Sequence, residues 1–141
     1  RGLREIATPA PDIDRFLEEA LPGEFLGLLL YLPPSPALDR ALASWTRAWE
    51  QKLDVPFTVG YGPRYLHSTG QFHKGGPNQG RFLHVACANE ELAIPGWSFG
   101  FGALKLAQAM GDYQALVHRG RNVRHVFFDR PADALDYFTR R

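Results

Sequence analysis

The sequence predicts a single α/β domain of three layers, in which helices flank a four- to five-stranded, mainly parallel sheet. Segments of strand character alternate along the chain with segments of helical periodicity, as in βαβ units. Residues 25–32 (FLGLLLYL) form a continuous apolar run, which is typical of a strand buried on both faces of a parallel sheet. The length of 141 residues suits one domain and no linker or repeat divides it, so we assign residues 1–141 to that domain.

Capping residues and apolar spacing predict the first two helices. Asp12 is placed to cap a first helix that ends before Pro22. Ser35 is placed to cap a second helix, with Pro36 at its first position. One face of this second helix is apolar at spacings of three and four residues, which predicts that it packs in the core. The residues of that face are Leu38, Leu42, Trp45, Trp49 and Leu53.

Two predicted strands enclose a glycine-rich segment in the middle of the chain. Residues 55–61 form the second strand, which Pro56 places at a sheet edge or at a strand start. Residues 81–88 form the third strand. The intervening residues, 62–80, are predicted to be a loop without a helix. A loop of about 20 residues inside a compact domain is uncommon, and is usually functional where it occurs.

The C-terminal third of the chain predicts helices around one more strand. A turn at residues 94–96 opens a helix at residue 97 or 98 that runs to about residue 110. Gly111 is predicted to break this helix, and Asp112 to cap a short second one through residue 117. Residues 122–128 form the fourth strand, and a terminal helix begins at Pro131 and continues to the chain end.

The composition excludes several classes of protein. With 16 Lys and Arg against 15 Asp and Glu, the chain lacks the basic excess of a general nucleic-acid binder. The single cysteine, Cys87, excludes an intrachain disulfide framework and a Cys-rich zinc site, and fits a reducing cytoplasm. No apolar run approaches the roughly 18 residues of a membrane span, and no secretory signal is present. Because the first methionine is Met110, we expect the chain to be processed or cut from a longer protein.

Acidic residues are unevenly distributed. Residues 55–89 contain no Asp or Glu, and six of the 14 glycines lie between residues 60 and 80. Backbone N–H groups at glycines can converge on an anion, and a segment without carboxylates does not repel a phosphate. The side chains that add donors or positive charge are Arg64, Ser68, Thr69, Gln71 and Lys74. The segment matches neither the P-loop nor the dinucleotide motif, so it indicates either a site for a phosphorylated small molecule or a turn-rich crossover whose glycines serve only geometry.

The histidines in and around this segment have separate interpretations. His67 is an acid–base candidate, or else it fixes the local backbone. His73 is expected to have a lowered pKa because of its lysine neighbour. His67, His73 and His84 match no metal-ligand spacing, so no metal site is predicted, and His84 on its strand is interpreted as structural. We expect His118 and His125 at the surface or at helix ends.

Two further residues carry reactive groups. Cys87 lies inside the predicted third strand, where a buried and inert thiol is expected. Lys105 lies among apolar residues of the predicted third helix. Its side chain either extends from the core edge into solvent or points into the site.

Three segments resemble one family. Residues 61–78 (YGPRYLHSTGQFHKGGPN) resemble a segment near the C-terminus of bacterial bifunctional transaldolase/phosphoglucose isomerases and of related long-form glucose-6-phosphate isomerases. Residues 29–34 resemble the family's strand leading into its Pro-containing helix, and residues 98–113 resemble its following helix. The resemblance covers about residues 25–128.

The resemblance implies a sugar-isomerase-like fold and the C-terminal domain of an enzyme that interconverts glucose 6-phosphate and fructose 6-phosphate. This reaction passes through an enediol and needs no metal or redox cofactor. Under this interpretation His67 is the catalytic candidate. The residues assigned to phosphate and substrate are Arg64, Ser68, Thr69, Gln71, His73 and Lys74.

The same resemblance implies partners as well as a substrate. The acid-free segment cannot supply the carboxylate base of an isomerase, so upstream isomerase domains are expected to provide it, and the 141-residue chain alone is expected to be inactive. A second copy of the chain is a further possible partner, in a homo-oligomer. The alternative is a non-catalytic module that binds a phosphosugar or anion, or that serves assembly with upstream domains.

Overall fold

Four strands and five α-helices alternate along residues 2–88 and 90–140, the part of the chain that the computed structural model describes. The strands are β1 (Phe25–Tyr31), β2 (Phe57–Tyr61), β3 (Gly80–Cys87) and β4 (Asn122–Phe128). The helices are α1 (Ala10–Glu18), α2 (Pro36–Leu53), α3 (Thr69–Gly75), α4 (Phe101–His118) and α5 (Pro131–Thr139). Two 3₁₀ turns span Leu3–Ile6 and Arg64–His67. No helix within this described part combines the length and the apolar content that crossing a bilayer requires.

All neighbouring strands run parallel, in the order β2-β1-β3-β4. Helices α1, α2 and α5 cover one face of the sheet, and the 3₁₀ turns, α3 and α4 cover the other. Successive side chains of β1 therefore enter opposite cores, with Leu28 and Leu30 on the α2 side and Leu29 and Tyr31 on the α4 side. This arrangement confirms the predicted three-layer α/β class with a mainly parallel sheet.

Strand β1 is the centre of the domain. Leu28 and Leu30 are fully buried, as predicted for a strand with both faces covered. Burial of each leucine stabilises the fold by about 1.5–3 kcal/mol. Strand β2 lies at the sheet edge directly after Pro56, which confirms the edge placement.

Helix α2 forms as its capping sequence predicts. The Ser35 hydroxyl accepts a hydrogen bond from the Leu38 backbone N–H at 3.1 Å, and Pro36 occupies the first turn. The predicted apolar face is buried from Leu38 to Trp49, and Leu53 packs at its edge. Trp45 meets the ring of Phe138 on α5 edge-to-face, with 5.3 Å between centroids, so α2 and α5 form one packed layer.

The glycine-rich segment is not a plain loop, contrary to prediction. It contains the 3₁₀ turn Arg64–His67 and helix α3. Helix α3 packs closely against the preceding turn at Gly70, where a Cβ would lie only 3.0 Å from the Tyr65 carbonyl oxygen. Because glycine has no Cβ, this close packing is possible. The β2–β3 connection is therefore a helical crossover, which is the usual link between parallel strands.

Helix α4 also differs from prediction, because it begins at Phe101 and runs unbroken to His118. Gly111 and Asp112 do not interrupt it. A glycine in a helix costs only about 0.5–1 kcal/mol, and the buried side chain of Asp112 has tertiary partners that hold this turn in place. The late start follows from Glu91, whose carboxylate accepts from the Gly102 N–H at 3.1 Å and compensates the helix N-terminus.

Other predicted boundaries shift by smaller amounts, among them the end of β1, at Tyr31, and the start of β2, at Phe57. Helix α1 begins at Ala10, so Asp12 lies in its first turn, where its charge favours the helix dipole, rather than at the cap. Strand β3 is displaced by one residue from the predicted 81–88. Helix α5 begins at Pro131 as predicted but ends at Thr139, and Arg141 of the predicted helix lies outside the described residues.

Candidate functional site

A cleft of about 420 Å³ opens at the carboxyl edge of the sheet. The residues after β1, those after β2, and α4 line it: Leu32, Pro34, Tyr61, Gly62, Pro63, Arg64, His67 and Lys105. The connections that leave β1 and β3 run to opposite sides of the sheet. In open parallel sheets ligands bind outside the carboxyl ends of the strands at such a switch point. The fold therefore places this cleft where an α/β domain usually binds small molecules.

The 3₁₀ turn directs two side chains into the cleft. Residues three apart lie on the same side of such a turn, and Arg64 and His67 both line the cleft. The chain enters this turn through Gly62, whose absent Cβ would lie 2.4 Å from Cζ of Tyr31. Only glycine allows the backbone to come this close to the Tyr31 ring. Gly62 therefore determines the path by which the chain enters the turn that carries Arg64 and His67.

Lys105 contributes a third nitrogen group from α4. The side chain is half-buried, and burial lowers the pKa of its ammonium group while the neighbouring Cys87 thiol opposes that shift. Of the two alternatives left open by the sequence, the structure shows Lys105 lining the cleft. An ammonium group in this position adds positive charge to the cleft that Arg64 and His67 also line.

The cleft lining carries no carboxylate. None of its eight described residues is Asp or Glu. The Tyr61 hydroxyl donates to Asp39 at 2.7 Å, and burial, reinforced by this hydrogen bond, raises the pKa of Tyr61 and keeps it a neutral phenol. With one guanidinium, one ammonium and one imidazole, the cleft is suited to a compact anion.

Three other predicted site residues lie outside the cleft. Ser68, Thr69 and Gln71 are exposed around the start of α3, and none of them is among the cleft-lining residues. The Gln71 amide instead donates to the Leu66 carbonyl at 3.2 Å. These side chains therefore belong to the crossover surface rather than to the anion site.

His73 lies in the core. Its side chain is almost fully buried, and its ring centroid is 4.8 Å from that of Phe82. Burial is the main cause of its lowered pKa, with Lys74 adding to the shift and Asp112 opposing it. The predicted direction is therefore confirmed, but the main cause is burial rather than the lysine neighbour.

Lys74 pairs with a carboxylate, although its own segment has none. Its Nζ lies 2.8 Å from Oδ1 of Asp112 on α4, whose side chain is 1% exposed. The Tyr65 hydroxyl donates to the other oxygen of the same carboxylate. Burial, and then the charge of Asp112, raises the pKa of Tyr65, which stays protonated and able to donate. Lys74 is thus placed in an internal network with Asp112 and does not line the cleft.

Two histidines form a buried pair behind α4. Parallel register places His84 opposite His125, and their Nδ1 atoms lie 2.8 Å apart. Both rings are fully buried, and burial lowers the pKa of His125 to about 4 and that of His84 well below its ordinary value. The structural interpretation of His84 is confirmed, whereas the surface position expected for His125 is wrong because its side chain points under α4, beside Tyr113.

The remaining reactive residues lie as the sequence predicts. Cys87 is buried at the end of β3, and burial raises the pKa of its thiol. His118 is exposed at the last residue of α4.

Within the described part of the chain, no three His, Cys, Asp or Glu side chains are grouped so that they could hold a metal ion.

The sequence leaves two positions open for Lys105 and predicts Asp112 only as the cap of a short helix that follows a break at Gly111. A lone cation in an otherwise apolar helix after a buried strand was the signal for Lys105. For Asp112 the sequence gives no such signal, because its pairing with Lys74 depends on how α4 packs against the crossover.

The comparisons with known proteins bear on the fold alone. No family model and no curated protein matches the chain. Among solved structures, a hypothetical protein from Thermus thermophilus superposes with a TM-score of 0.71 at 18% sequence identity. The match covers 92% of this chain and 36% of that protein, so the chain spans about a third of its length. The chain is an α/β domain with a parallel four-stranded sheet.

Proposed function

We propose that the chain binds a phosphorylated sugar in this cleft as the C-terminal domain of a glucose-6-phosphate isomerase. The observation that carries the proposal is the convergence of Arg64, His67 and Lys105 on one cleft whose lining includes no carboxylate. The resemblance of residues 61–78 to isomerase sequences supplies the substrate class. The single thiol, Cys87, is consistent with a reducing cytoplasm.

Each cleft residue has a role suited to its chemistry. The Arg64 guanidinium can bind two phosphate oxygens at once, and Lys105 adds a second positive charge. The His67 imidazole can donate or accept a proton at the sugar oxygens. Moving a proton between C1 and C2 of the sugar requires a further base, which in this proposal the upstream isomerase domains supply.

Ligand titration of the 141-residue chain tests the binding step. Fructose 6-phosphate is titrated against unphosphorylated fructose and followed by calorimetry. Arg64→Ala is expected to weaken the phosphosugar roughly 10- to 100-fold, because a charge-assisted hydrogen bond contributes about 1.5–3 kcal/mol. Arg140→Ala, at an exposed arginine of the α5 end, is the matched control and is expected to change nothing. Equal binding of fructose and its phosphate would contradict the proposal.

The role of His67 is tested in the longer enzyme that the proposal implies. If His67 takes part in proton transfer, His67→Ala lowers kcat strongly with little change in KM. If the chain only binds the substrate, the same variant changes mainly KM. Arg140→Ala again serves as the comparison, since Arg140 is exposed at the end of α5 and does not line the cleft.

A second candidate, an assembly module, is favoured by an exposed apolar surface beside the start of α4. Its members are Leu92, Trp97, Phe99, Phe101 and Leu104, and we call them the aromatic surface. The rings of Trp97 and Phe99 lie 5.2 Å apart between centroids, and clustered apolar exposure marks contact sites. We propose that upstream isomerase domains cover it. Sedimentation of the chain with and without Trp97→Ser tests this, because a dimer abolished by the substitution would assign the surface to a second copy instead.

A further inference from the structure

Helix α4 connects the cleft to the crossover through two of its residues. Lys105 lines the cleft, and Asp112 lies two turns further along the same helix. Asp112 is buried and accepts a hydrogen bond from Tyr65, the residue next to Arg64 in the 3₁₀ turn. One helix therefore supplies one wall of the cleft and contacts the segment that forms the other.

Tyr65 is the anchor of the 3₁₀ turn. Its ring packs edge-to-face against Tyr31, with 6.1 Å between centroids. A Cβ at Gly60 would lie 3.2 Å from Cδ1 of Tyr65, so a side chain there would crowd the ring. While Arg64 and His67 point into the cleft, Tyr65 between them is buried and points to α4. The hydroxyl end of this buried ring is fixed by Asp112.

We propose that Asp112 is a positioning residue for the cleft: by accepting a hydrogen bond from the Tyr65 hydroxyl, it holds the turn so that Arg64 and His67 lie in the cleft that Lys105 also lines. That the cleft binds a phosphate group rests on the proposed function. The contact between Asp112 and Tyr65, which we call the tether, is observed in the structure. The Lys74 ion pair neutralises the buried carboxylate. Tyr65 transmits the constraint, because it is covalently next to Arg64 and lies within the turn.

Substitutions separate the two contacts of Asp112. Asp112→Ala removes both, and Tyr65→Phe removes only the hydroxyl. Asp112→Asn abolishes the ion pair but keeps a carbonyl oxygen that can accept from Tyr65. Phe138→Leu, on the opposite face of the sheet, is a control that destabilises the core without touching the crossover.

Hydrogen exchange of the unliganded 141-residue chain measures the tether directly. In Asp112→Ala and Tyr65→Phe, peptides covering residues 61–68 are expected to exchange at least about tenfold faster while β1 and β3 are unchanged. Asp112→Asn and Phe138→Leu are expected to leave residues 61–68 at the wild-type rate. If residues 61–68 exchange no faster in Asp112→Ala than in Phe138→Leu, the proposal is wrong. If Asp112→Asn behaves like Asp112→Ala, transmission through Tyr65 is wrong.

Titration with inorganic phosphate, followed by NMR, tests the consequence for the site. Asp112→Ala and Tyr65→Phe are expected to weaken phosphate about tenfold, and Asp112→Asn to stay within about twofold of the wild type. Unchanged affinity in Asp112→Ala, with faster exchange in residues 61–68, would overturn the positioning role. A wild-type chain that does not bind phosphate, with the exchange pattern intact, would refute the proposed function and still support the tether.

Discussion

The buried histidine pair predicts a loss of stability in acid. His125 has an ordinary pKa of 6.5 that burial lowers to about 4, so the unfolded chain binds a proton at this site before the folded chain does. Stability from the neutral ring is complete above pH 6.5 and falls as the pH drops towards 4. A difference of this size corresponds to about 3 kcal/mol from His125 alone. The lowered pKa of His84 adds a loss of the same sign.

Urea unfolding at several pH values between 7.5 and 4 measures this loss. Carboxylates also titrate near the acid end of this range and change the stability themselves. The double variant His84→Leu/His125→Leu keeps all of these carboxylates, so its comparison with the wild type isolates the effect of the histidine pair. The two rings hydrogen-bond to each other through Nδ1, and replacing both partners of such a buried pair by apolar side chains can be nearly neutral at pH 7.5. The double variant is expected to lose at least about 3 kcal/mol less than the wild type on acidification, whereas His118→Ala, at an exposed position, follows the wild type. Equal losses in the wild type and the double variant would refute the reasoning.

Four more predictions follow from the packing and the proposed site. Gly62→Ala should lower the free energy of unfolding by about 1–3 kcal/mol because of the clash with Tyr31, and Gly111→Ala, facing open space, should raise it by about 0.5–1 kcal/mol, both measured in urea. Ser35→Ala should cost about 1 kcal/mol through the lost cap of α2, seen as a lower Tm. The 141-residue chain should show negligible isomerase turnover in a coupled assay, and robust turnover would contradict the need for an external base.

The elements that the sequence predicts well are those with local causes. Helix α2 carries its own cap at Ser35 and its own apolar face, and β1 is apolar at every position on both faces. The sequence predicts a loop at the crossover because the segment is rich in glycine, which is typical of loops. In the structure, Gly70 instead allows α3 to pack on Tyr65. That contact is a property of the tertiary structure and has no local signature.

The candidate site was predictable only where its residues share one segment. Arg64 and His67 lie three residues apart and reach the cleft together. The assignment of Lys74 rested on the absence of acids in its segment, but Asp112 of α4 packs against it. The position of His125 depends on its parallel register with His84, which no periodicity in β4 reveals.

The Glu91 carboxylate at the start of α4 has a consequence for ligand recognition. Gly100 and Gly102 leave room for this carboxylate, so the positive end of the helix dipole is already compensated from within the chain. An anion in the cleft must then be held by charged side chains rather than by the N–H groups of this helix. Recognition through solvated side-chain charges weakens as salt screens them. The affinity of the cleft for phosphate should therefore respond more strongly to ionic strength than that of a site built on backbone donors.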